Sequence, residues 1–77
     1  MIRRETFHIE ILGPEEAEVL SRVSVRVEDL AGARERALRL FERARVPQRV
    51  GPEAEAVRIV DGAGREAFRR SRFDAAD

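Results

Sequence analysis

The residues in this sequence that are best suited to proton transfer are His8 and Glu10, which stand two positions apart. In an extended strand this spacing places both side chains on one face. A carboxylate beside an imidazole is the smallest arrangement that supports general acid-base catalysis. Catalysis also requires a pocket and a nucleophile or an oriented water, so we interpret the pair as ordinary neighbours on a strand. We predict no catalytic residue and expect that the protein is not an enzyme.

Metal and phosphate sites are no better supported by the residue types. The chain has one histidine and no cysteine, so residues 8 and 10 would supply only half of a zinc site. The glycines of residues 61–64 lie between two predicted strands, whereas phosphate-binding glycines lie between a strand and a helix. We therefore predict no metal site and no cofactor.

The length of the chain, 77 residues, predicts a single domain over residues 1–77. We expect the folded core to cover about residues 5–70, and residues 71–77 to form a frayed tail in which Phe73 could still dock. The absence of cysteine predicts a reducing compartment, and no apolar run indicates a signal peptide or a membrane helix. Together these observations predict a cytoplasmic protein without a membrane partner.

Charge favours no class of partner, because 15 basic residues balance 15 acidic ones. Every basic residue is an arginine. A G+C-rich genome explains this more simply than selection for the bidentate guanidinium group.

Patterns of apolar residues predict the elements that must position these side chains. Apolar and polar residues alternate at positions 6–11, at about 18–27 and at 56–60, and a short last strand covers about 65–70. Asp29 predicts a helix start as its N-cap, an apolar stripe follows at helical spacing, and Pro47 ends the helix. Residues 61–64 predict a tight hairpin turn.

These elements predict an α+β fold, a two-layer ββαββ arrangement with a four-stranded, mostly antiparallel sheet and one helix packed on one face. Two hairpins flanking a helix resemble ubiquitin-like β-grasp domains, in which the first and last strands lie together in the centre. We therefore prefer the sheet order 2-1-4-3, with a meander that joins strand 3 to strand 2 as the alternative. The predicted core consists of Phe7, Ile9, Ile11, Val23, Val25, Val27, Leu30, Leu38, Phe41, Val57, Ile59 and Phe68.

Three local motifs resemble those of a group of small uncharacterised bacterial α+β domains. They are a Phe-His-Ile strand at residues 7–9, a helix start Asp-Leu-x-x-Ala-Arg at residues 29–34, and a hairpin Asp-x-x-Gly-Arg at residues 61–65. The likeness covers most of residues 6–70 and differs in the first hairpin, where Pro14, Glu15 and Glu16 replace Asp and Gly. It implies a bacterial protein of this fold and implies no activity.

The sheet face opposite the helix is the predicted interaction surface. Leu20 is also expected to point outward there, and arginines on an exposed sheet could contact phosphates, although RNA-binding sheets usually add exposed aromatic residues. We predict a non-enzymatic protein-interaction module that associates with itself or with another protein, because edge strands 2 and 3 would leave backbone groups unpaired. Weak nucleic-acid binding is the alternative. The candidate interaction face comprises His8, Arg22, Arg26, Arg58 and Val60.

Overall fold

A computed structural model describes residues 4–45 and 53–73 of the chain. Within these residues the elements follow the predicted order of two strands, a helix and two strands. Their bounds are β1 Glu5–Leu12, a short 3-10 turn Pro14–Glu16, β2 Val19–Val27, α1 Leu30–Ala44, β3 Ala56–Val60 and β4 Glu66–Ser71. The predicted helix stop at Pro47 and most of the connection that follows lie outside the described residues, as does the tail from residue 74.

The four strands form one antiparallel sheet in the order β2-β1-β3-β4, and α1 packs on one of its faces. This confirms the predicted α+β fold with a single helical layer. β1 is central and pairs Ile9 with Val23 of β2 on one side and with Ile59 of β3 on the other. Among the described residues the opposite face has no helical layer, as the two-layer prediction requires, although Glu10, Leu12 and Ala56 on that face are buried.

The observed order differs from the preferred 2-1-4-3 in the second hairpin, because β3 rather than β4 lies beside β1. The edge strands are therefore β2 and β4, not strands 2 and 3. A central strand must bury side chains on both of its faces, and Ala56, Val57 and Ile59 of β3 are fully buried. β4 has no buried residue and contains charged residues at half of its positions, so it suits the edge.

The core lies between α1 and the sheet and uses more alanine than predicted. Phe7, Ile9, Ile11, Val25, Ala33, Ala37, Phe41, Ala54, Val57 and Ile59 form one buried cluster, with Val23, Val27 and Phe68 packed against it. The prediction was wrong for Leu30, which is 38% exposed because it lies in the first turn of α1. Small side chains at Ala33 and Ala37 let the helix approach the sheet closely, and both are completely buried.

Local polar chemistry forms the helix start and the closing turn as predicted. The Asp29 carboxylate accepts a hydrogen bond from the Gly32 amide at 2.9 Å, which satisfies a free donor of the first turn of α1. Between β3 and β4, the Asp61 carboxylate accepts hydrogen bonds from the amides of Ala63 and Arg65, each at 2.9 Å. Gly64 has a φ of 85°, which only glycine adopts readily.

The connection between β1 and β2 is less regular than the predicted turn. Glu15 and Glu16 both have positive φ, 59° and 55°, in the left-handed region that side chains disfavour. The register of the β1–β2 pair shifts between Ile11 and Leu12, so that Leu12 pairs with Val19. Because of this shift, Val19 does not continue the buried row of β2 and is 46% exposed.

Candidate functional site

The open face of the sheet, opposite α1, contains all five residues of the predicted interaction face. Cross-strand pairing aligns His8 with Ser24 and Val60, and it aligns Glu10 with Arg22 and Arg58. Arg26, in the edge strand β2, lies opposite Thr6 of β1. Residues directly opposite each other in an antiparallel pair share a face, so the register brings these side chains together. Leu20 was predicted to point outward as well, but it packs against the core cluster.

Glu10 occupies the centre of this face and is only 7% exposed. Its Oε1 accepts a hydrogen bond from Arg58 Nε at 2.5 Å, and its Oε2 lies 3.5 Å from Arg22 Nε. The two arginines come from the strands on either side, β2 and β3. A carboxylate this buried requires charged partners, because desolvation of an unpaired charge is costly.

The ion pairs continue from Glu10 to the far edge of the sheet. Arg58 Nη1 lies 3.9 Å from Glu66 Oε1, and Glu66 accepts hydrogen bonds from Arg69, the shortest at 2.7 Å. Arg69 also donates to Glu16 in the turn between β1 and β2. We call this alternating series the ion-pair ladder, and its members in order are Arg22, Glu10, Arg58, Glu66, Arg69 and Glu16.

The ladder crosses all four strands and contains equal numbers of arginines and glutamates. Hydrogen bonds from Arg69, with the nearby charges of Arg69 and Arg58, lower the pKa of Glu66 despite an opposing effect of desolvation. Hydrogen bonds to Glu66 and Glu16 in turn raise the pKa of Arg69. Both shifts favour the charged forms of Glu66 and Arg69. Each arginine of the ladder lies beside at least one glutamate, so positive and negative charges alternate across this face.

His8 does not form the acid-base pair with Glu10 that its position suggested. The His8 Nδ1 atom is hydrogen-bonded to Ser24 Oγ at 2.8 Å, across the β1–β2 pair. Glu10 is engaged by its two arginines instead. Among the described residues, no group of three or more acidic or histidine side chains is arranged to hold a metal ion.

The outer edge of β2 is the second surface of interest. β2 is nine residues long and has β1 on one side, with no strand on its other side in the part of the chain that the structure describes. Its even-numbered residues Arg22, Ser24 and Arg26 are exposed on the open face, while Val23 and Val27 are half-buried on the core face. Glu28 follows the strand and is also exposed.

The sequence interpretation did not identify Glu66 and Glu16 as part of this face. Alternation places Glu10 on the open face, but nothing in a local pattern shows that a residue in β4 and another in the first turn converge on the same arginine. Glu10 was the one member of the carboxylates that alternation could place on this face.

No protein-family model, curated protein or solved structure matches this chain. The resemblance to small uncharacterised bacterial domains therefore stays a prediction. Within residues 4–45 and 53–73, no helix combines the length and the apolar character that crossing a membrane would require.

Proposed function

We propose that this chain is a non-enzymatic protein-interaction module that associates with a second copy of itself through the outer edge of β2. The observation that supports this most directly is the outer side of the long, valine-rich strand β2, which has no strand beside it among residues 4–45 and 53–73. Backbone N–H and C=O groups along such an edge can accept a further strand, as in recognition by strand addition.

Features that commonly protect an edge strand from pairing are scarce in β2. The strand contains no proline and no lysine, and its register irregularity is confined to its first residues, near Val19. Arg22 and Arg26 lie on the open face of the sheet, on either side of Ser24. β4, the other edge, has six residues and participates in the ion-pair ladder through Glu66 and Arg69.

A small domain gains stability from association because its own core is limited. The described core comprises one layer of side chains between α1 and the sheet, and small domains bury a lower fraction of their surface than large ones. Two-fold dimers are the commonest assemblies of identical chains, and antiparallel pairing of two edge strands has this symmetry.

Light scattering from micromolar to millimolar concentration tests the proposal. We expect the mass to rise toward that of a dimer, and hydrogen exchange of the outward amides of β2 to slow over the same range. The amides of β4 serve as the internal control and should not change. A monomer at high micromolar concentration, or protection confined to β4, would contradict the proposal.

Nucleic-acid binding through the open face has weaker support. Arg22 and Arg58 share the carboxylate of Glu10, and Arg69 is bonded to Glu66 and Glu16. Arg26 alone of the predicted arginines forms no ion pair with a described residue, and a single cation releases few counterions from a phosphate backbone.

A further inference from the structure

We infer that the end of the open face beyond Glu10 is a binding site for a single phosphate group, either free phosphate or a phosphate monoester. Four polar side chains from β1 and β2 form the site: Thr6, His8, Ser24 and Arg26. All of them come from one copy of the chain, and none belongs to the ion-pair ladder. The inference therefore goes beyond the proposed self-association and does not depend on it.

The register of β1 and β2 brings these four side chains together. Thr6 lies opposite Arg26. The next pair on the same face aligns His8 with Ser24. Neighbouring strands are about 5 Å apart and residues two positions apart in a strand are separated by about 7 Å, so the four Cα atoms mark a small rectangle. Side chains from its four corners can contact one anion above the sheet.

Arg26 supplies a positive charge that no described carboxylate neutralises. The arginines of the ladder are paired with glutamates, whereas Arg26 is exposed and forms no ion pair with a described residue. The open-face positions of β1 and β2 beyond Glu10 include no acidic residue in the described strands. A planar guanidinium group donates to two oxygens of one anion, and this geometry suits phosphate.

The hydrogen bond between His8 Nδ1 and Ser24 Oγ, at 2.8 Å, leaves a donor for the ligand in either direction. If the Ser24 hydroxyl donates to Nδ1, the neutral imidazole carries its proton on Nε2, which is then the remaining donor. If Nδ1 donates to Ser24 Oγ, the hydroxyl proton remains instead. The exposed hydroxyl of Thr6 is a further donor beside Arg26.

The number of donors favours a phosphate group with three free oxygens over other anions. The guanidinium group of Arg26 occupies two oxygens, and the hydroxyl and imidazole donors serve the third. A carboxylate has only two oxygens, and a phosphodiester has two free oxygens and a single charge. A phosphate monoester has three free oxygens and carries about two negative charges at neutral pH, so it matches the site best.

Titration with inorganic phosphate and with glycerol phosphate tests the site by NMR. His8 is the only histidine of the chain, so the carbon-bound protons of its imidazole give unique resonances. At about pH 7.5, where phosphate monoesters are dianions, we expect these resonances to shift saturably with a dissociation constant of about 1–10 mM. Sodium chloride at the same ionic strength should cause no saturable shift. Dimethyl phosphate, a phosphodiester, should bind at least about tenfold more weakly.

A pair of matched variants shows whether Arg26 and His8 contact the same anion. Arg26→Gln should raise the dissociation constant at least about tenfold, because a charge-assisted contact is lost. The control is Arg36→Gln on α1, since Arg36 is also exposed and forms no ion pair with a described residue. This control should change the constant by less than about twofold. Circular dichroism shows whether each variant is folded.

The outcomes separate this site from the proposed self-association. The site is overturned if neither probe shifts the His8 resonances saturably up to about 50 mM, or if Arg26→Gln binds as tightly as Arg36→Gln. Equal binding of dimethyl phosphate would also overturn it and favour the nucleic-acid alternative. Light scattering of the same samples reports association: a monomer that binds phosphate contradicts only the self-association, and a dimer without the shift contradicts only the site.

Discussion

At the scale of single residues, the most consequential side chain is Glu10. It is buried between Arg22 and Arg58, and removal of one partner from a buried ion pair leaves desolvated charge without compensation. Arg22 and Arg58 both keep part of their contact with water, which limits the stability lost when Glu10 is removed. We expect Glu10→Ala to lower the free energy of unfolding by about 1–2 kcal/mol, measured by chemical denaturation.

The matched control for Glu10 is Glu35 on α1. Glu35 forms an ion pair with Arg39 at 2.7 Å, but both side chains are exposed. Exposed helical pairs contribute little, so Glu35→Ala should change the free energy of unfolding by less than about 0.5 kcal/mol. Equal losses in the two variants would show that the buried position of Glu10 has no special energetic role.

The lowered pKa of Glu66 predicts that the stability of the fold depends on pH. Its pKa in the folded protein is lowered from the ordinary value of 4.5, chiefly by the hydrogen bond from Arg69. A lowered folded pKa contributes stability that is fully present above the unfolded pKa and is lost as the pH falls through the folded value. The difference in unfolding free energy between the unmodified chain and Glu66→Gln should therefore be fully present at neutral pH, begin to decrease near pH 4.5 and vanish only below the lowered pKa of the folded protein. A difference that stays constant into the acid range would contradict this role.

At the scale of elements, the β3–β4 turn allows a paired test of backbone conformation. Gly64 has positive φ, so Gly64→Ala should lower the free energy of unfolding by about 1–2 kcal/mol. An added Cβ at Gly62 would meet only the Thr6 carbonyl oxygen, at 3.8 Å, which is an ordinary contact. Gly62→Ala should be neutral or stabilise by up to about 1 kcal/mol. Thermal unfolding of both variants gives the comparison.

The elements also show how far a sequence determines a fold of this size. The N-cap at Asp29, the turn at residues 61–64 and the bounds of β3 were predictable, because each depends on local chemistry. The second neighbour of β1 was predicted incorrectly. The resemblance to β-grasp domains favoured β4 at this position, whereas β3 occupies it. The apolar character of Ala56, Val57 and Ile59, compared with the charged β4, was the physical signal that placed β3 in the centre.

In the candidate site, too, the features that depend on local sequence were predictable, and the contacts between residues distant in sequence were not. Alternation alone placed His8, Arg22, Arg26, Arg58 and Val60 on one face, and the register of the sheet agrees. The contact between Glu16 and Arg69 joins residues 53 positions apart, so no local pattern contains it. Sequence reasoning therefore identified the face, its cations and Glu10, but not Glu66 and Glu16.

At the scale of the whole molecule, the ion-pair ladder predicts how the protein responds to nucleic acid. Binding to a phosphate backbone depends on cations that can replace counterions, and it weakens steeply with salt. Because Arg22, Arg58 and Arg69 are already paired with glutamates, we expect an added oligonucleotide to produce no salt-dependent shift of their side-chain resonances. A shift at low salt that disappears at high salt would favour the nucleic-acid alternative over self-association.

The ladder has a further consequence for the behaviour of the molecule on heating. The hydration of charged groups becomes less favourable as temperature rises, so the penalty for holding Glu10 away from water decreases. Hydrophobic stabilisation per unit area reaches a plateau over the same range. The ionic face of the sheet should therefore supply an increasing share of stability in the warm range, so that the temperature limit of the fold depends on its glutamates and arginines as well as on its core.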